Sequence, residues 1–457
     1  MRLNRRVSAF QIISTLLSLS TTTIHVSAHP HQAQAEAQSP AVHANPRSNA
    51  NANSGSGSAT GGHEATLWAT HYNGNVYTLS LKGDNLTLTD TQKTCGDMPS
   101  WLTFDAESKT LYCSDENGTA DPDTYGTLSA YSVGSEGKLK QVAEAETVGG
   151  GVKSVIYEAG QGQKYIAIAH YEGSAISTFK LPLTKPKNTH AKQALHFTMS
   201  HNGSTPQQDS PHPHSVFLDP TGSFLVSPDL GADLLRIYSI DPHSGHLHTC
   251  QPVNVTFGSG PRHGLFWTDG TNNETANAGG EYGRPTHERQ MAAVGKTMLY
   301  LVNEIGGTMM TFDVSYARSG CLDLQLKDTV VPYPGDVMPS GATPAEIRMV
   351  GDRFYVSIRS DQGFAPNDSV VTLERDAKSG NVDVLGKSDA WGKVPRTMVI
   401  NRAGDLVAIG NQASSTVAIV RRDRTTGDLG EQVAILKVGE TGTVGTSEGL
   451  SSVIWAE

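Results

Sequence analysis

The chain has 457 residues, 37% of them hydrophobic, enough to bury a large core as one big all-β domain or as several ordinary ones. Forty-seven glycines, 22 prolines and only 18% charged residues favour many tight turns over long amphipathic helices. A formal charge of −10 excludes a surface built for nucleic acid or anionic membrane, which needs clustered Lys and Arg, but leaves room for a local basic pocket.

At the N-terminus Arg2, Arg5 and Arg6 precede an apolar run from Ala9 to Leu19, and Val26, Ser27 and Ala28 form a small-residue cleavage site. Residues 1–28 therefore read as a secretory signal peptide. The run is too short to cross a bilayer and no other stretch reaches about 18 apolar residues, so the mature protein is expected to be extracellular, with no membrane segment. Residues 29–62 hold almost no large apolar side chain and read as a disordered, low-complexity leader. Six N-glycosylation sequons, at Asn85, Asn117, Asn202, Asn254, Asn273 and Asn367, suit the secretory route. Four cysteines suit it too, and none has CxxC spacing, so structural pairs are expected; of the three possible connectivities, Cys95 with Cys113 and Cys250 with Cys321 is the one chosen.

From Leu67 onward the chain repeats itself. Segment 213–238, PHSVFLDPTGSFLVSPDLGADLLRIY, aligns without a gap on segment 395–420, PRTMVINRAGDLVAIGNQASSTVAIV. Each reads as a short apolar strand, a turn carrying Gly222 or Gly404, a second apolar strand, a polar loop and a third, alternating strand. A fourth strand follows, as at Gly245 to Val253. Weaker copies start near Pro99, Val152, Pro261 and Pro344. Their spacing of roughly 50 to 60 residues suits a four-stranded propeller blade. A polar, glycine-rich insertion from Thr268 to Gly295 stretches the fifth unit. Leu67 to Ser80 lacks a first strand, and Leu450 to Trp455 is a first strand alone, so the two ends complete one blade. The fold expected for residues 63–457 is an all-β, seven-bladed β-propeller closed by N- and C-terminal strands in one blade.

In such a blade the start of the first strand and the end of the second lie at the same end of the ring. The first position reads Ser100, Lys153, His214, Arg262, Ala345 and Arg396. The second reads His71, Asp115 or Glu116, His170, Asp229, Glu304, Arg359 and Asn411. The strands between are apolar, so a ring of ionisable groups at one channel mouth is the informative contrast. Lys153, Arg262, Arg359 and Arg396 set against Glu304, Asp229 and the histidines suit a small carboxylated ligand, because guanidinium forks match carboxylates. His214 and Glu304 are the candidate proton carriers. His212 and His214 alternate across a strand, which disfavours a shared metal. His263 is expected to turn away from the channel, and Asp233 to serve a turn.

The phrases HPHSVFLDPTGSFLVSPDLGAD from His212, GSGPRHGLF from Gly258, YLVNEIGG from Tyr300, YVSIRSD from Tyr355 and VPRTMVINRAG from Val394 resemble the lactonase family. That family includes propeller 6-phosphogluconolactonases and fungal carboxy-cis,cis-muconate lactonising enzymes, and the resemblance spans Leu67 to Trp455. It implies that His214, Arg262, Glu304 and Arg359 match the His, two Arg and Glu proposed as the fungal catalytic set. The family's usual Asn-Arg reads Ile358-Arg359 here, and its usual Asn-Tyr reads His170-Tyr171.

The leading expectation is a secreted, cofactor-free cycloisomerase that closes a lactone by adding a carboxylate to a conjugated double bond. Lys153, His170, Asp229, Arg396 and Asn411 are expected to bind substrate beside the catalytic four, without a metal. Hydrolysis of a sugar or aromatic lactone is the second reading, and a non-catalytic ligand-binding propeller is the third.

Overall fold

A computed structural model of the chain describes residues 63–457 apart from 122, 185–190, 270–294 and 318–319. The expected signal peptide, the leader, most of the fifth-unit insertion and the sequon at Asn273 lie outside the described residues. Seven antiparallel sheets make up what is described, six of four strands and one of five, and the helical content is two single 3-10 turns.

Each sheet is one blade. In blade 1 the C-terminal strand Leu450–Trp455 is innermost and pairs with Glu64–His71, which continues to Asn75–Lys82 and Asn85–Lys93. The innermost strands of blades 2 to 7 are Pro99–Asp105, Gly151–Ala159, Phe217–Leu218, Pro261–Thr268, Thr343–Val350 and Pro395–Ile400. The repeat boundaries read from the sequence thus coincide with the blades. Gly222 and Gly404 hold positive φ angles of 68° and 73° in the turns that follow the first strands, where any other residue is strained. The fourth strand of blade 4 is broken into Leu247–Thr249 and Val253–Asn254, both paired with Leu234–Ile240.

Apolar side chains of adjacent blades pack face to face between the sheets. The largest cluster joins blades 7, 1 and 2 through Trp68, Leu79, Leu111, Val399, Ile419 and Trp455. Trp455 also donates its Nε1 hydrogen to the Val399 carbonyl at 3.2 Å, so the closing strand is tied to the blade before it. Disulfides join Cys95 to Cys113, and Cys250 to Cys321.

One irregularity recurs. Between the first and second strands the register slips by one residue near the start of the first strand in blades 1, 2, 3, 5, 6 and 7. In blade 4 the Pro213–Asp229 bridge and the Phe217–Val226 pair are likewise one residue out of step. Such a bulge bends the strand and breaks strict alternation, so two consecutive side chains face one side.

Trp455→Ala should cost about 3–5 kcal/mol, the usual toll for emptying an aromatic core site. Denaturant unfolding would check this; an unchanged midpoint would mean that the C-terminal strand does not close the ring.

Candidate active site

The bulges set two tiers of side chains facing the axis. The upper tier holds Ser100, His214, Arg262 and Arg396, each next to the bridging proline that opens its strand. Opposite them stand the residues just beyond the second strands. Tyr72, Glu116, Tyr171, Leu230, Glu304 and Gln412 each donate a backbone N–H to the carbonyl immediately before the first strand of the same blade, those of Gly449, Met98, Gly150, His212, Gly260 and Val394. Arg359 occupies the same place in blade 6, paired with Thr343. These seven positions are equivalent, and they rim the mouth.

Two ion clusters occupy this rim. Glu304 is shared by two guanidiniums, Arg262 Nε at 2.7 Å from Oε2 and Arg359 Nη2 at 2.5 Å from Oε1. Arg262 further donates to the Ala345 carbonyl at 2.6 Å, and Arg359 to Thr343 Oγ1 at 2.9 Å. Glu116 Oε2 accepts from Tyr72 Oη at 2.5 Å and Ser100 Oγ at 2.6 Å, while Arg396 Nη2 stands 3.6 Å away. Three guanidiniums therefore face two carboxylates, a surplus of one positive charge.

The electrostatics follow from burial among these charges. Burial alone would raise Glu304, but Arg359 and Arg262 outweigh it and hold the carboxyl below its ordinary value. Burial pushes His214 well below 6.5, and Arg262, His263 and Arg396 push the same way. Its imidazole is therefore neutral at pH 7, and its buried Nδ1 has no hydrogen-bond partner among the described residues.

The second tier lies one residue deeper on the first strands. Lys153 Nζ is 3.4 Å from His263 Nδ1, which is 3.0 Å from Glu346 Oε1, and Arg348 Nη2 stands 3.6 Å from Glu346 Oε2. Lys153 also lies 4.9 Å over the Trp101 ring, and the His263 ring meets His214 edge-on at 5.5 Å. Burial lowers Lys153 to about 8 and, aided by Lys153, drives His263 well below 6.5. These groups from blades 2, 3, 5 and 6 form a buried floor under the mouth.

Four of the expected residues, His214, Arg262, Glu304 and Arg359, meet at this mouth, and Arg396 joins them. Others are corrected. Lys153 belongs to the lower tier. His263, expected to turn away, faces the axis because the bulge at Pro261/His263 cancels the alternation. His170, Asp229 and Asn411 each lie one residue short of the rim, where the pleat turns the side chain away from the mouth, into its own blade or toward its neighbour. His170 Nε2 is 2.7 Å from Ser177 Oγ. Asp229 accepts from the His212 and Ala232 amides and pairs with Arg236 at 2.7 Å. Asn411 donates to the Ala390 carbonyl at 2.9 Å. His71 does similar work, accepting the Asn73 amide at 3.0 Å and binding the Glu440 carbonyl at 2.9 Å. Asp233 binds the Gly258 and Gly260 amides, bracing the loop that leads to Arg262. Sequence reasoning missed Tyr72, Tyr171 and Gln412 at the rim and Glu346 in the floor. A period-one shift in the second-strand alignment would have exposed the first three.

Comparison with known proteins gives one family over most of the chain. The model described as "Lactonase, 7-bladed beta-propeller" matches residues 66–446. A protein of Arthroderma benhamiae named "Probable 6-phosphogluconolactonase" is 28% identical over 333 residues, covering 72% of this chain and 75% of its own. A 6-phosphogluconolactonase of Formosa agariphila is 25% identical over 336 residues, covering 72% and 83%. Among solved structures, the periplasmic gluconolactonase of Pseudomonas aeruginosa superposes with a TM-score of 0.62 at 22% identity, over 86% of this chain and 99% of that one, a likeness of fold.

Stability should fall as the pH drops below 6.5. His170, lowered by burial to about 3, and His214 and His263 all have folded values beneath the unfolded one, so in that interval the unfolded chain binds the extra protons. Asp115, raised by burial to about 6, and Asp219, also raised by burial, oppose. Glu304 and Glu346 add a loss of the same sign as the histidines only below 4.5. Denaturation midpoints flat from pH 7.5 to 5 would contradict this account.

Proposed function

Since this chain belongs to the lactonase family of seven-bladed β-propellers, we propose that it hydrolyses a lactone at the mouth bearing Arg262, Glu304 and Arg359. The observation that carries the reading is one carboxylate gripped by two guanidiniums beside a neutral, buried histidine. Glu304 is the positioning group: it holds Arg262 through Nε and Arg359 through Nη2, and Arg262 Nη2 and Arg359 Nη1 are left to bind the substrate. Those donors stabilise the oxyanion that forms when water adds to the lactone carbonyl. His214, unprotonated at neutral pH, takes the proton from the attacking water. The product is a hydroxy acid whose new carboxylate faces an electropositive rim.

Lactone formation was the leading expectation from sequence, and it gives way to lactone opening. Cyclisation needs a proton delivered to carbon, yet both groups expected to deliver it, His214 and Glu304, are held in their proton-free forms. The curated relatives named above also carry lactonase names. Extracellular action is part of the proposal, supported by the signal-like N-terminus and by two disulfides, which persist in oxidising compartments.

Purified protein should release acid from gluconolactone or 6-phosphogluconolactone above the spontaneous rate in a pH-stat and leave carboxymuconate absorbance unchanged. Consumption of the muconate without lactone turnover would reverse the assignment. Arg359→Gln should lower kcat by about 10²–10³-fold, the scale of losing an oxyanion donor. The acid limb of kcat/KM should lie below 6.5 and move upward in Arg396→Gln, because Arg396 is one of the cations holding His214 unprotonated. A limb that stays put in that variant would remove His214 from the base role.

A further inference from the structure

The sevenfold equivalence of the rim makes an exception visible. Tyr72 donates to Glu116, which also accepts from Ser100. Glu304 is held by Arg262 and Arg359, and Arg359 also donates to Thr343. Gln412 donates to the carbonyls of Thr446 and Glu448, and Leu230 has no polar group to place. Tyr171 has a hydroxyl, and among the described residues nothing receives it.

Its ring is nevertheless fixed. It stacks on His212 with centroids 4.1 Å apart and planes 14° from parallel, and it meets the His214 ring edge-on at 5.4 Å. His212 is itself anchored, Nδ1 to the Tyr171 carbonyl at 2.8 Å and Nε2 to Asp209 at 2.9 Å. The charges acting on the phenol include Glu304 and Glu116, and the phenol acts in turn on Arg396. The ring thus stands at the rim against the base, His214, with its hydroxyl uncommitted. A rigid ring with an uncommitted donor in a crowded polar site is an arrangement that a folded core does not need.

We infer that Tyr171 is the acid of the lactone hydrolysis proposed above, donating its phenolic proton to the ring oxygen as the lactone opens. Water forms the new bond to the carbonyl carbon and gives its proton to His214; the bond from that carbon to the ring oxygen breaks, and the oxygen takes the proton of Tyr171. The tyrosinate then recovers a proton from the imidazolium through solvent, so lactone and water become hydroxy acid with both side chains restored. Burial, reinforced by the negative charge of Glu304, raises the phenol above its ordinary value, so it keeps its proton through neutral pH. A firmly held proton suits an alkoxide, which is a stronger base still.

The test compares an alkyl lactone, gluconolactone, with an aryl lactone, dihydrocoumarin, whose phenolate leaves unaided. Tyr171→Phe keeps the stack on His212 and removes only the hydroxyl. It should lower kcat by about 10²-fold on the alkyl lactone, the scale of one general acid, and by a few-fold at most on the aryl one. Equal losses on both, or none on either, would overturn the acid role while leaving lactone hydrolysis standing. A wild-type protein inactive on both would overturn the two readings together. Should the variant not fold, kcat of the wild type across alkyl lactones of graded leaving-group basicity decides: a shallow dependence supports proton donation and a steep one rejects it.

Discussion

A one-residue slip of register, repeated round a closed ring, is the constraint on which the mouth depends. Closure comes first: the innermost strand of blade 1 is supplied by the C-terminus and its neighbour by the N-terminal part of the domain, so no sheet edge is left unpaired at the seam. Within that ring a regular strand would send alternate side chains toward opposite neighbours. The bulge at each first strand breaks the rule where it matters, and Arg262 and His263, adjacent in sequence, both reach the first strand of the next blade, at Ala345 and Glu346. The same slip, seven times over, stacks a floor beneath a rim.

Burial first, and charge second, set the protonation states. Three guanidiniums crowd two carboxylates at the rim, and Lys153, Arg348 and Glu346 sit close below. Burial penalises the charged imidazole most, and each positive neighbour adds to that cost, which keeps His214 and His263 neutral. The floor contributes here as well as by filling the channel, since His263 is among the groups that lower His214. A neutral imidazole beside fixed cations can accept a proton from water, while the guanidiniums carry the positive charge that an oxyanion needs. The division of labour between histidine and arginine follows from that asymmetry.

Legibility differed by element. The blades were readable because the apolar, turn and apolar pattern recurs with its glycines in place, Gly222 and Gly404 above all, and because the two ends of the chain complement each other. The four cysteines allowed three pairings from sequence, and the structure shows the expected one. In the site, His214, Arg262, Glu304 and Arg359 were found because the first two open, and the last two end, a recognisable apolar strand. His170, Asp229 and Asn411 were misplaced by a single residue. In a pleated strand that error turns a rim residue into one that pins a loop, as Asp229 does through the His212 amide and Arg236.

What the sequence determined by itself was local and periodic: strand, turn, strand, seven times, with ionisable residues gathered at one end of each unit. That information lies in side-chain pattern, which is read without knowing what stands opposite. Tertiary structure decided the rest, namely which of two consecutive residues faces the axis, that Glu304 lies between Arg262 and Arg359, that His263 reaches Glu346 and Lys153, and that Tyr171 alone at the rim keeps a hydroxyl without a partner among the described residues. Such facts depend on bulges and on contacts across the ring between residues tens to hundreds of positions apart, and a one-residue slip leaves no trace in composition or period.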